Sequence, residues 1–234
     1  MIIVCAGMSR SGSTLQYQLV KTVAERYLDG HGAGFIYPLT LEIPSILIVK
    51  TELFRQKIAD LHSAGKAKIV SVYRDPRDVT VSLNHFFESQ DRNREATENW
   101  QPRKYTMDDA INIHLHDTMG WYMQWETIDH PKWKYENLYF NGWDNALCEI
   151  CDYLGIPITQ SEAIKICEEF SIEKNYKRQS EQELFIADKT TMLSKEHISP
   201  RKGMPGQWKH MLTDMQAHKI EYTYKEWMSN HGYY

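Results

Sequence analysis

Apolar side chains open the chain as Ile2-Ile3-Val4-Cys5-Ala6, a run without polar alternation that meets Gly7 and a stretch of serines and glycines. A strand covered on both faces reads this way because neither face needs a polar position, so the run predicts a central parallel strand. Beyond the turn, Leu15, Leu19, Val23 and Tyr27 recur at the spacing that places side chains on one face of a helix. The opening therefore reads strand, glycine loop, helix, and the Gly30-His31-Gly32-Ala33-Gly34 cluster is expected to end that helix.

A second apolar run, Ile46 to Val49, precedes a helical stretch near Phe54 to Ala64. A third, Lys68 to Tyr73, runs into Asp75-Pro76, an N-cap with proline at the first helical position. Strand-to-helix units in succession predict an α/β fold, a single-domain, three-layer arrangement over residues 1–234 with a central parallel sheet flanked by helices. The polar stretch from Glu88 to Thr106, rich in Arg, Asn and Glu and without periodicity, is expected to form a long surface loop or lid. Lys132 to Tyr135 is expected as a fourth strand, and Trp143, Leu147, Ile150 and Leu154 mark an amphipathic helix closed by Gly155 and Pro157. The remainder reads as mainly helical, interrupted by a basic Gly/Pro loop at Pro200 to Gly206; there is no internal repeat.

Composition narrows the class. A chain of 234 residues, 42% hydrophobic and 25% charged, suits one substantial core. Lys+Arg 27 against Asp+Glu 31 gives a net charge of -4, which argues against nucleic acid or an anionic membrane as a general partner. The longest apolar runs are far shorter than a bilayer span and no basic segment leads into a cleavable apolar one, so no membrane span and a cytoplasmic location are expected. Four cysteines suit a reducing compartment, and Cys148-x-x-Cys151, inside an apolar helical pattern without a second pair, reads as core packing.

The chemistry begins at Gly7-Met8-Ser9-Arg10-Ser11-Gly12-Ser13-Thr14. Glycines where a strand meets a helix let consecutive N–H groups turn toward an anion at the helix N-terminus. The spacing matches G-x-x-x-x-G-K-[ST], but Ser13 stands where a nucleoside triphosphatase places its lysine, and Arg10 is the cation within the loop. A plain helix-capping turn and the phosphate loop of a small-molecule kinase are the competing readings.

This P-loop-like segment resembles the 5′-phosphosulfate loop of the sulfotransferases that use 3′-phosphoadenosine 5′-phosphosulfate, in which Lys or Arg precedes Ser-Gly-[ST]-[ST]. Two further stretches resemble the same family. Tyr73-Arg74-Asp75-Pro76-Arg77-Asp78-Val79-Thr80-Val81-Ser82 is similar to its 3′-phosphate motif, an Arg at a strand end followed by a Ser on the next helix. Arg201-Lys202-Gly203-Met204-Pro205-Gly206-Gln207-Trp208-Lys209 is similar to its late R-K-G-x-x-G-x-W-K segment. The resemblance implies that Arg10, Ser11, Gly12, Ser13 and Thr14 hold the 5′ end, and that Arg74, Ser82, Arg201, Lys202 and Gly203 hold the 3′-phosphate. Guanidinium forks and hydroxyls suit a phosphate dianion. Tyr135, in a stretch resembling the family's Y-E-[DN]-L, would supply an adenine wall, with Phe170 to Ile172 as another.

The family resemblance also implies the reacting centre. Sulfuryl transfer needs a base at the acceptor and positive charge at the departing phosphate. Lys50-Thr51-Glu52-Leu53 is similar to a K-T-H-L segment whose His is the base in many cytosolic members; Glu52 takes that place here, as Glu does in the tyrosylprotein and heparan branches. Arg10 and Lys50 are the implied stabilisers of the leaving phosphate. His85, His114 and His116 are alternative bases, and His114-x-His116 lacks the third ligand a metal site needs, so no metal is expected. The expected acceptor is a small molecule, lipid or glycan bearing a hydroxyl or amine, with Trp100, Tyr105, Trp121, Tyr122 and Trp125 as candidate pocket aromatics or packing residues. Ser9, Leu15 and Gln207 stand where the family often has Pro, Trp and Asp, and no K-x-x-x-T-V-x-x-x-F dimer segment is found, which leaves the oligomeric state open. A non-catalytic nucleotide-binding relative is the third reading.

Overall fold

A computed structural model describes residues 1–35, 45–97, 104–182, 187–188 and 190–234, with the backbone alone for 91–97. Its strands are β1 (Ile2–Gly7), β2 (Gly30–Phe35), β3 (Ile46–Thr51), β4 (Ala67–Tyr73) and β5 (Lys132–Lys134). The helices are α1 (Ser13–Tyr27), α2 (Gln56–Ser63), α3 (Pro76–Thr97), α4 (Met107–Asp109), α5 (His116–Glu126), α6 (Tyr135–Asn141), α7 (Asp144–Leu154), α8 (Gln160–Glu169), α9 (Ile172–Ser180), α10 (Trp208–Met211), α11 (Asp214–Thr223) and α12 (Lys225–Asn230). A π-helical segment, Ala110–Leu115, joins α4 to α5.

The strands pair in the order β2-β3-β1-β4-β5, all parallel. β1 lies at the centre, fully buried along its length, as its unbroken apolar run requires. Its two faces feed different layers. Ile3 and Cys5 pack with Tyr17, Leu19 and Val23 of α1 and Leu147, Ile150 and Leu154 of α7, whereas Ile2, Val4 and Ala6 pack with Ile58 of α2 and Trp125 of α5. The result is a sheet between two helical layers, the predicted α/β architecture. The strand order reverses at β1, where β3 and β4 flank it on opposite sides, and open α/β sheets bind ligands at such a switch point outside the carboxyl ends.

Four elements differ from expectation. The Gly30–Gly34 cluster, expected to end the helix, follows the end of α1 and itself forms the strand β2. A Cβ on Gly30 would meet Ile48 Cδ1 at 2.8 Å and Ala24 at 3.1 Å, so glycine serves close packing of an edge strand on α1. The stretch expected as a loop from residue 88 instead continues α3 to Thr97, because Gln90, Arg92, Arg94, Glu95 and Ala96 are good helix formers even without an apolar stripe; residues 98–103, with Trp100, lie outside the described residues. Tyr135 opens α6 and does not end a strand. Between α9 and α10 the described residues 187–188 and 190–207 are irregular, a wider stretch than the expected Pro200–Gly206 loop.

Cys151 is buried in the core on α7 and burial pushes its thiol up to about 12, as suits a packing residue. The C-terminal residues are tied to the sheet: Lys134 donates to the carbonyls of His231 and Gly232, Arg77 donates to that of Tyr233, and the Tyr233 hydroxyl donates to Glu136. Glu126 on α5 accepts from Trp227 Nε1 and lies 2.7 Å from His231 Nε2.

Two predictions follow from this packing. Ile3→Ala should cost about 2–5 kcal/mol, lowering the midpoint of urea unfolding with an unchanged slope. Met215→Ala, at a side chain 82% exposed, should change stability by about 0.5 kcal/mol or less. Burial pushes the His231 imidazole down, but the hydrogen bond and charge of Glu126 and the Trp227 carbonyl hold it above its ordinary value. Its contribution to stability is therefore complete below the unfolded histidine pKa of about 6.5 and is lost as pH rises through the higher folded value. Unfolding of His231→Gln measured against pH should lack that decline.

Candidate functional site

The register of the sheet brings the chemistry-bearing residues to one edge. Ala6 of β1 pairs with Thr51 of β3, Gly7 with Val72 of β4, and Tyr73 of β4 with Lys134 of β5. The loop 8–12, Lys50 to Glu52, Arg74 and Tyr135 therefore leave neighbouring strands at one level. The loop is built for close turning: Arg10 and Gly12 adopt left-handed backbone at φ 62° and 88°. Ser11 Oγ is buried 2.5 Å from the Met8 carbonyl and 2.9 Å from that of Val72, so it fastens the loop to β4 and does not face the cavity.

A cavity of about 110 Å³ opens above this loop, lined by Arg10, Gly12, Ser13, Thr14, Glu52, Arg74, Ser82, Tyr135 and Gly203. Leu15, Ile172, Asn175, Leu193, His197, Ile198 and Ser199 complete its wall. Leu15, Tyr135 and Ile172 also line an adjoining cleft of about 490 Å³ with Trp143 and Phe170. The first space is too small for a nucleotide alone, whereas the two together fall within the range of about 300–1,000 Å³ typical of ligand pockets.

Arg74 is the hub of the site. It is 4% exposed, its guanidinium lies 4.4 Å from the Tyr135 ring centroid, and its Nη atoms donate to the carbonyls of Arg10 at 3.2 Å and Gly203 at 2.8 Å. Arg74 Nε is buried without a partner, an orphan donor in a wall otherwise rich in donors. Arg10 donates through Nε to Ser82 Oγ at 3.1 Å and through Nη2 to the His197 carbonyl. Burial pushes the Arg10 guanidinium down to about 10, with Glu52 opposing and Arg74 adding to the fall, so it stays charged near neutrality.

Lys50 is 2% exposed and donates to Glu52 Oε1 at 2.9 Å, while Ser9 Oγ donates to Glu52 Oε2. Burial pushes the Glu52 carboxyl up, but Lys50, the Ser9 hydroxyl and Arg10 outweigh it and hold the group below its ordinary value. An ionised carboxylate thus stands beside the cations of the cavity.

Other candidates fall outside this cluster. Arg201 is exposed and lines a small adjoining recess with Arg74, Ser82 and Gly203, donating to Met211 Sδ at 3.2 Å. Lys202 lines neither cavity; it lies 3.7 Å from Glu173, at the rim of the larger cleft. Arg77 is consumed structurally, paired with Asp75 and Glu221 and stacked 4.0 Å over Trp208. Asp78 accepts from the backbone of Gly206 and Trp208 and so clamps the late loop to α3. His114 stacks on Phe87 at 3.9 Å, and His116 is exposed. Tyr122 and Trp125 are fully buried core residues, with Trp125 donating to the Glu52 carbonyl. Sequence reasoning missed Asn175 and residues 193–199; the only signal for the latter was contiguity with the Arg201 run. Among the described residues no group of three or more His, Cys, Asp and Glu could hold a metal, and no helix is long and apolar enough to cross a membrane.

Comparison with known proteins gives concordant matches. A family model described as "Sulfotransferase domain" matches residues 37–232, beginning after the glycine loop. An amine sulfotransferase of Oryctolagus cuniculus is 23% identical over 169 residues, 71% of this chain but only 56% of the relative, so the match spans about half of that protein's length. A mouse sulfotransferase solved with PAP superposes with a TM-score of 0.66 at 20% identity, covering 98% of this chain and 84% of the other. A retinol dehydratase in complex with retinol and PAP gives a TM-score of 0.58 at 14% identity, covering 97% and 80%. At these identities the two structures establish a shared fold.

Gly203 tests the fit of the late loop. At φ 71° an added Cβ would lie 2.4 Å from Tyr135 Oη, whereas at Gly65, φ 68°, nothing lies within 4 Å. Gly65→Ala should cost about 1–2 kcal/mol for the left-handed backbone alone. Gly203→Ala should cost measurably more in thermal unfolding, because the Tyr135 hydroxyl must also surrender its bond to the Gly203 carbonyl.

Proposed function

The chain belongs to the sulfotransferase domain family, and from that premise we propose that it moves the sulfuryl group of 3′-phosphoadenosine 5′-phosphosulfate to a hydroxyl or amine of a small-molecule, lipid or glycan acceptor. The observation that carries this reading is the donor-rich cavity at the carboxyl edge of the sheet, where Arg10, Ser13, Thr14, Ser82 and Arg74 converge. Such a donor set suits an anion with two phosphate centres. Residues 1–234 would act as one sulfotransferase domain, with its four unbridged thiols suited to a cytoplasmic setting.

In the proposed reaction the acceptor oxygen or nitrogen forms a bond to sulfur as the bond from sulfur to the bridging phosphate oxygen breaks. The acceptor proton passes to the Glu52 carboxylate, and 3′-phosphoadenosine 5′-phosphate departs. Glu52 suits the role because Lys50 and Ser9 fix its orientation and hold it ionised. Those same contacts make it a modest base, fitted to a transfer in which proton removal follows substantial bond breaking. Arg10 and Lys50 offset charge on the departing phosphate, so metal-free transfer is the proposed mode. Ser13 and Thr14 hold the 5′ end from the first turn of α1, Arg74 and Ser82 with Arg201 and Gly203 hold the 3′-phosphate, and Tyr135, Phe170 and Ile172 enclose the base in the larger cleft. Lys202, which lines neither cavity and faces Glu173 at the rim of the larger cleft, is left as a peripheral attraction for the anion.

The test is transfer of labelled sulfuryl from the co-substrate to a panel of phenols, alcohols, sugars and amines in the presence of a chelator. Glu52→Gln should lower the transfer rate about 10²–10⁴-fold while leaving bisphosphate affinity within a few fold. Because Glu52 is held below the ordinary carboxylate range, activity should show no carboxylate limb between about pH 6 and 8. Loss of nucleotide binding in the variant, or an undiminished rate, would remove Glu52 from the role of base.

A further inference from the structure

The wall facing the glycine loop is formed by the irregular segment just before Arg201, and its most informative side chain is His197. Nε2 of His197 lies 3.3 Å from Thr14 Oγ1, in the first turn of α1, and the His197 carbonyl accepts from Arg10. The ring also meets Phe86 of α3 edge-on at 6.4 Å between centroids. The imidazole is thus held against the hydroxyl, and the backbone of the same residue against the cation, that the preceding reading assigns to the 5′ end of the nucleotide.

The charged groups around it are predominantly positive: Arg10 from the glycine loop, Lys50 from β3 and Arg74 from the end of β4, against Glu52 alone among the carboxylates of the cavity wall. Lys195 and Glu196 flank it on its own segment. Burial first, then Arg10 and Lys50, push the His197 imidazole well below its ordinary value, so it is neutral in this arrangement. A phosphate or phosphosulfate entering between Arg10 and Thr14 brings negative charge to this wall, which favours the protonated ring.

We propose that His197 is a further ligand of the anionic 5′ end of the nucleotide, taking up a proton as the anion binds and donating to it. This rests on the nucleotide reading given above. The proton comes from solvent and returns to it on product release, so His197 binds and neutralises charge but breaks no bond.

The experiment is calorimetric titration of 3′-phosphoadenosine 5′-phosphate at about pH 7 in buffers of different ionisation enthalpy, with wild type and His197→Gln. Adenosine 3′-phosphate, which lacks the 5′ anion, serves as a second ligand on wild type. The expected result is up to one more proton taken up by wild type than by the variant, and a wild-type affinity that falls up to about tenfold more steeply per pH unit. The extra uptake should vanish with adenosine 3′-phosphate, a comparison that needs no variant. Tight bisphosphate binding with the same proton count for both ligands on wild type, or for wild type and variant, would overturn the role of His197 alone. Absence of bisphosphate binding to wild type would overturn the nucleotide reading and this inference with it.

Discussion

The site depends on one constraint, the parallel register that holds β1 between β3 and β4. Because Ala6 stands beside Thr51 and Gly7 beside Val72, three chain segments leave the sheet at the same height and within reach of one another. A one-residue slip of any of these strands would turn its buried set to the opposite face and carry Lys50 or Arg74 away from the loop. The apolar packing of Ile3 and Cys5 on one side and Ile2, Val4 and Ala6 on the other enforces that register. The core thereby fixes where the polar residues at the strand ends can stand.

Gathering Arg10, Lys50 and Arg74 around a small cavity costs desolvation and mutual repulsion, and the structure offsets both. Arg74 donates to the carbonyls of Arg10 and Gly203 and stacks on Tyr135, Lys50 is paired with Glu52, and Arg10 meets Ser82 and the His197 carbonyl. These contacts draw the early loop and the late Gly/Pro loop together around the cations. Glu136 extends the arrangement by accepting from the Asp75 backbone and from Tyr233, which links the C-terminal residues to the turn that carries Arg74. The frame of the cavity is therefore assembled from both ends of the chain.

Much of this was legible in the residues. The unbroken apolar run of β1, the Asp75-Pro76 helix start and the glycine loop gave the α/β alternation directly, since each rests on local sterics or a two-faced burial pattern. What failed had a tertiary cause. The glycines of β2 were expected to end the preceding helix and gave no sign of a strand, because close packing on Ala24 and Ile48 calls for the same residue as a helix stop. The polar extension of α3 lacked an apolar stripe, the main sign of a helix. Within the site, the family resemblance of the motifs pointed to Arg74, Ser82, Tyr135, Glu52 and Gly203, and to Arg201, which lines the recess beside Arg74, whereas Lys202 of the same motif lines neither cavity. His197 lay in an irregular segment without periodicity, and only the fold brings it to Thr14.

The most direct test of the account is binding of 3′-phosphoadenosine 5′-phosphate to the purified protein in the presence of a metal chelator, alongside ATP with magnesium and an Arg74→Ala variant. The account predicts tight, metal-independent binding of the bisphosphate that collapses in the variant, with little affinity for ATP. Binding of ATP with magnesium and indifference to the bisphosphate would contradict it.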